Sequence, residues 1–74
     1  MTTNQQNIEN MTALIEALDA KFKATMQADT IKASHYMLAR DAVIKAREAA
    51  RHNDTDLCGR FLETARSYIQ GARA

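Results

Sequence analysis

Apolar residues recur at alternating intervals of three and four residues through the first third of the chain. The repeating positions are Ile8, Met11, Ile15, Leu18 and Phe22. Because an α-helix completes a turn every 3.6 residues, this spacing collects the apolar side chains on one side of a helix. The pattern predicts a helix over about residues 5–28, with Leu14 and Met26 widening the stripe, and a polar, frayed end over residues 1–4.

A second helix, rich in alanine, is predicted over about residues 31–52. Its stripe has the same spacing and consists of Tyr36, Ala39, Val43, Ala46 and Ala50. Small side chains on such a stripe allow another helix to approach closely. Asp29 or Thr30 can accept hydrogen bonds from the first free N–H groups of this helix. We therefore expect a break between the first two helices, although neither glycine nor proline enforces it, and one continuous helix is the alternative.

The clearest interruption of the helical pattern is the polar segment 52–56. Asn53 suits a left-handed position at a helix end, and Asp54 or Thr55 can cap the helix that follows. The third helix is predicted over about residues 55–72, with the stripe Cys58, Phe61, Ala65, Tyr68 and Ala72 and with Leu57, Leu62 and Ile69 broadening it. Because the connection is short, the second and third helices are predicted to form an antiparallel hairpin.

Composition and length agree with a single all-α domain over residues 1–74. The chain has no proline and two glycines, whereas β-sandwiches and barrels need regular turn residues. A core of this size rarely supplies more than about 3–5 kcal/mol, so small chains often assemble with a second copy. A helix over residues 5–28 would be about 36 Å long. We expect a helical-bundle homodimer whose seam is the first stripe, Ile8, Met11, Ile15, Leu18 and Phe22.

The net charge and the absence of recognisable motifs reduce the number of function classes that the sequence favours. Ten basic and nine acidic residues give a net charge of +1, which is no strong field for nucleic acid or an anionic membrane. The chain has no apolar run that could span a membrane and no secretory leader, which predicts a cytoplasmic protein. One cysteine and two histidines form no recognisable metal or nucleophile motif. We therefore expect no cofactor, no metal and no enzymatic activity.

One face of the second helix mixes aliphatic and guanidinium groups, a composition typical of protein interfaces. Its members, predicted to bind a partner, are Met37, Arg40, Ile44, Arg47 and Arg51. The three arginines could instead follow a phosphate backbone, so a small nucleic-acid-binding regulator is the alternative.

In size and helical content the chain is similar to small inhibitors of phages and mobile elements, such as anti-CRISPR and anti-activator proteins. That likeness implies a non-catalytic protein that regulates or inhibits a protein partner by covering its surface. It is the function that we expect from the sequence.

Overall fold

The computed structural model describes the backbone of residues 2–73 and the side chains of residues 4–73. Three helices account for most of this range: α1 (Thr2–Thr25), α2 (Thr30–Arg51) and α3 (Thr55–Arg73). The described residues contain no strand. The prediction of an all-α chain with three helices is confirmed.

The break between α1 and α2 falls where the sequence placed it. Asp29 is the N-cap of α2, and its carboxylate accepts a hydrogen bond of 3.0 Å from the backbone N–H of Lys32. A capping carboxylate satisfies one of the N–H groups that the first turn leaves without a helical partner. One continuous helix through this segment is thereby excluded.

The second connection uses the residues expected of it. Asn53 adopts a left-handed conformation, with φ of 60°. The carboxylate of Asp54 accepts a hydrogen bond of 3.1 Å from the N–H of Leu57 and so caps α3. The backbone N–H of Asp54 itself bonds to the carbonyl of Ala49, 2.9 Å away, which ties the turn to the end of α2.

The start of α1 differs from the sequence expectation. The helix begins at Thr2, whereas residues 1–4 were expected to be frayed; Met1 lies outside the described residues. The amide of Asn4 donates hydrogen bonds to the carbonyl of Ala50, at 3.0 Å, and to the side chain of Asn53, at 3.2 Å. These bonds fasten the first turn of α1 to the far end of α2.

The central helix is α2, with α1 on one flank and α3 on the other. Two contacts join α2 to α3. Lys45 lies over the ring of Phe61 near the turn between the two helices, and His35 contacts Tyr68 nearer the other end of α2. On the opposite flank, Arg40 of α2 bonds to Asp19 of α1. Within residues 2–73, no Cα atom of α1 comes within 8 Å of a Cα atom of α3.

The α1 stripe that was predicted to be a dimer seam packs against the chain's own core. Met11 and Leu18 are 5% and 4% exposed, and Ile8, Ile15 and Phe22 are partly buried against them. All five residues therefore contact the core of their own chain. A homodimer with this stripe as its seam stays a prediction.

Candidate partner-binding groove

An open groove separates α1 from α3 along one side of the molecule. Three adjoining depressions of about 190, 310 and 270 Å³ follow the groove from the turn between α2 and α3 towards the C-terminal end of α3. Their apolar walls are formed by Met11, Leu14, Cys58, Leu62, Ala65 and Ile69. Ala50 of α2 lies at the deep end nearest the second turn. The groove therefore has an apolar wall on each side and reaches the central helix at its end near the α2–α3 turn.

The groove follows from the width of the buried arc on α2. The eight buried residues of α2 are Ala33, Tyr36, Ala39, Ala42, Val43, Ala46, Ala49 and Ala50. At 100° per residue they span about 200° of the helix circumference, which is room for one helix on each side of the arc. Consistent with this width, α1 and α3 both pack on α2, and no described Cα atom of α1 lies within 8 Å of one in α3.

Three mutually touching helices would be only about 60° apart around α2 and would close the groove. In a four-helix bundle each helix touches two neighbours and faces a third across the diagonal. Because α1 and α3 each pack on α2 and have no described Cα atoms within 8 Å of each other, they are related as diagonal helices of such a bundle are, and the groove lies between them.

The polar rim of the groove carries positive charge on the α3 side. Arg66 and Arg73 line its wider end together with Gln70, and Asn7 and Asn10 line the α1 side. Arg66 and Arg73 are seven residues apart, so they project from the same side of α3 two turns apart. None of the residues that line these three depressions is acidic.

Cys58 lies on the α3 wall of the groove. The thiol is half-buried, and burial raises its pKa above the ordinary value. Its place on the apolar stripe of α3 explains the direction, because apolar surroundings disfavour the charged thiolate. Because the thiolate is the reactive form, a raised pKa makes this thiol a slow nucleophile.

Arg40 and Arg47, two of the residues predicted to bind a partner, make contacts inside the chain. Arg40 donates a hydrogen bond of 2.7 Å to the carboxylate of Asp19, and Arg47 donates one of 3.1 Å to the hydroxyl of Thr12. These bonds join α2 to α1. The bonds to Lys23 and Arg40 lower the pKa of Asp19, because they favour the charged carboxylate.

The other three residues of the face predicted to bind a partner differ from one another in exposure and contacts. Ile44 is 37% exposed, Met37 is half-buried, and Arg51 lies 3.6 Å from the carboxylate of Glu48. The Nε atoms of Arg40 and Arg47 are buried without a hydrogen-bond partner among the described residues. Both guanidinium groups are therefore built into the α1–α2 contact, whereas the contact of Arg51 is with Glu48 of its own helix.

A larger single depression, of about 410 Å³, lies outside the groove at the α2–α3 turn. Its apolar surface comes from Ala49, Leu57 and Phe61. The ammonium group of Lys45 lies 6.0 Å from the centre of the Phe61 ring, so the chain's own side chain extends over part of this surface. The groove extends along two helices, α1 and α3.

The sequence analysis identified the apolar residues of the groove walls but not that they line a groove. Leu14, Leu62 and Ile69 were noted only because they broaden the stripes of α1 and α3. A stripe wider than one neighbouring helix can cover indicates a second neighbour. The extra width of the α1 and α3 stripes is therefore the sequence feature that indicates the groove. The face of α2 that was predicted to bind a partner was chosen for its arginine-rich composition instead.

Within residues 2–73 every helix is too short or too polar to cross a lipid bilayer. The same residues hold no group of three or more His, Cys, Asp or Glu side chains placed to bind a metal ion. Comparison of the chain with protein-family models, curated proteins and solved structures finds no match.

Proposed function

We propose that this protein is a non-catalytic binding module that regulates a protein partner by holding one of the partner's helices in the groove between α1 and α3. The observation that carries the proposal is the apolar groove between α1 and α3, which α2 holds apart. A helix bound there would have its apolar face covered by α1 and α3, with Ala50 of α2 at one end, and would be withdrawn from other contacts. Inhibition by masking is the mechanism that follows.

The proposal takes α2 and α3 as an antiparallel hairpin with α1 on the other flank of α2. The contacts of Lys45 with Phe61 and of His35 with Tyr68 support that arrangement. An amphipathic helix that lays its apolar face into a hydrophobic groove is a recurring way of recognising proteins. Large apolar side chains of the incoming helix would be the anchors, since buried anchors supply most of the binding energy at interfaces.

The test uses groove variants with a matched control on the same helix. Leu14→Gln and Leu62→Gln place an amide on opposite walls of the groove, whereas Leu57→Gln changes a side chain that is 40% exposed and lines the depression at the α2–α3 turn. Tagged wild-type and variant chains, each checked by circular dichroism and thermal unfolding, capture proteins from cells that carry the gene. A specific partner is a protein that wild type and Leu57→Gln retain and that both groove variants lose.

The captured protein is then purified and titrated into isotope-labelled wild-type chain. We expect a one-to-one complex, with amide shift changes concentrated at Leu14, Leu62 and Ile69. Shift changes confined to Ile44 and Arg51 would contradict the groove and restore the face predicted from the sequence. Loss of capture in all three variants alike would also count against the proposal.

The nucleic-acid alternative is separated by its salt dependence. Phosphate binding through Arg51 and its neighbours would appear at low salt and weaken steeply as salt rises, because bound counterions are released. Binding of duplex or single strands at 50 mM salt that is lost in Arg51→Glu would favour this alternative. We expect no such binding, since Arg40 and Arg47 are engaged with α1.

A further inference from the structure

We infer that the helix accepted by the groove is acidic and has a seven-residue repeat, with two large apolar side chains seven residues apart and carboxylates on the flank that faces α3. The inference rests on the proposed function and specifies the chemistry of the partner. It is carried by the spacing of the depressions along the groove and by the charge of its rim.

The spacing of the depressions sets the spacing of the anchors. Two of the depressions surround Cys58 and Leu62, and the third lies among Leu62, Ile69 and Arg73. Their centres are seven to eight residues apart along α3, which is about 11 Å at 1.5 Å per residue. Residues i and i+7 on an incoming helix are separated by the same rise and face the same way. Two such side chains would therefore enter the two parts of the groove together.

The rim of the groove repeats with the same period. Arg66 and Arg73 are exposed, seven residues apart and on the groove side of α3. Among the side chains of residues 4–73, neither guanidinium lies within 4.0 Å of a carboxylate. In helical bundles, charged residues beside the apolar seam pair across helices and determine which partner and which direction are accepted. Two carboxylates spaced by seven residues would match the two arginines.

Within residues 4–73, the helix that comes nearest to this description is α1, where Ile8 and Ile15 are seven residues apart with Glu9 and Glu16 beside them, but both isoleucines pack against the chain's own core. Ile31 and Leu38 are 73% and 41% exposed and seven residues apart, so a second copy could present them to the groove. A copy that inserted this stripe in one direction only would make a head-to-tail contact that does not close. A partner helix instead fills the groove once, in a one-to-one complex.

Two synthetic helical peptides of 18 residues test the inference. Both carry leucine at the first and fourth positions of each heptad; one has glutamate and the other lysine beside this seam. Binding to fluorescently labelled peptides is measured by anisotropy for wild type, Leu62→Gln, the double variant Arg66→Glu/Arg73→Glu and the control Arg60→Glu. Arg60 is an exposed arginine of α3 that does not line the groove.

We expect wild type to bind the acidic peptide about tenfold more tightly than the basic one, as two exposed ion pairs and the removal of two repulsions would give. The double variant should reverse this preference, and Arg60→Glu should keep it. The difference should shrink as salt is raised, because the rim charges are exposed to solvent. Leu62→Gln should weaken both peptides.

The contrary outcomes separate the two claims. Equal binding of both peptides, weakened by Leu62→Gln, would overturn the acidic partner and leave the groove as a helix site. Binding of the acidic peptide that ignores Leu62→Gln and the double variant would place the site elsewhere and overturn both. Absence of binding of either peptide at millimolar concentration would also overturn both. Light scattering that shows growing assemblies, abolished in Ile31→Lys, would assign the groove to a second copy instead.

Discussion

Two glycines on α3 provide a controlled test of how closely α3 packs on α2. A methyl group added at Gly59 would meet no heavy atom within 4 Å. The same methyl at Gly71 would lie 2.9 Å from Cδ2 and 3.2 Å from Nε2 of His35. Contacts as short as 2.9 Å are not tolerated between carbon atoms, so the imidazole would have to move. The two substitutions are chemically identical and differ in what surrounds them.

The expected magnitudes follow from helix propensity and from the contacts of His35. Alanine is favoured over glycine within a helix by about 0.5–1 kcal/mol, so Gly59→Ala should raise the free energy of unfolding by that amount. For a domain of this size, each kcal/mol changes the melting temperature by about 4–8 °C.

The same substitution at Gly71 has a cost that offsets this gain. His35 Nδ1 lies 2.9 Å from the carbonyl of Ile31, and the ring meets Tyr68 edge-on at 6.4 Å between centroids. Displacing the imidazole forfeits a hydrogen bond worth about 1 kcal/mol. Gly71→Ala should therefore be neutral or destabilising.

A double-mutant cycle separates the effect of the contact between residue 71 and His35 from the effect of placing alanine in the last turn of α3. Urea unfolding is measured for wild type, for Gly59→Ala, Gly71→Ala and His35→Ala, and for the double variants His35→Ala/Gly71→Ala and His35→Ala/Gly59→Ala. Once the ring is absent, Gly71→Ala should stabilise the chain, with a coupling energy of about 1 kcal/mol. Gly59→Ala should be unaffected by the His35 background. If Gly71→Ala stabilised wild type as much as Gly59→Ala does, the close packing of α3 against His35 would be refuted.

Three further predictions concern individual side chains. The bonds of Asp19 to Lys23 and Arg40 lower its pKa, so its stabilising effect is complete above the ordinary value of 3.8 and is lost as the pH falls through the lower folded value. Thermal unfolding of Asp19→Asn should therefore show a shallower loss of stability below pH 4 than wild type; parallel curves would contradict this. Arg47→Met removes a buried Nε that has no partner and should be neutral or stabilise by up to about 1 kcal/mol, as urea unfolding would show; a clear loss of stability would mean that the bond to α1 dominates. Cys58 should react with a disulfide reagent more slowly in the folded chain than in urea, and a bound helical peptide should slow it further; equal rates would show a freely exposed thiol.

The local features of the fold were predictable because they depend on neighbouring residues. Three helices, the break at Asp29, the left-handed Asn53 and the cap at Asp54 all follow from side chains that act within one turn of their own position. Helix ends were displaced by up to three residues. Both ends of α1 are displaced by three residues. At its start, Asn4 bonds to Ala50 and Asn53, residues more than forty positions away in the chain.

The candidate site was not predictable from the same patterns, because periodicity indicates which face is apolar and not what covers it. The stripe of Met11 and Leu18 is covered by α2, and the guanidinium groups of Arg40 and Arg47 are used to hold α1. Both facts depend on the side of α2 on which α1 packs. That choice is made by pairs such as Asp19 and Arg40, which are 21 residues apart, and no local signal records it.

Alanines at the middle of the buried arc of α2 explain how closely the three helices pack. Ala39 and Ala46 have no exposed surface, and Ala50 has 4%. Side chains this small let α1 and α3 approach α2 from either flank until the two outer helices cover Ala39 and Ala46. Of the α2 residues, Ala50 alone lines the three depressions of the groove, whose other lining residues belong to α1 and α3. An incoming helix would therefore rest mainly on Leu14, Leu62 and Ile69, the half-buried side chains of the two outer helices.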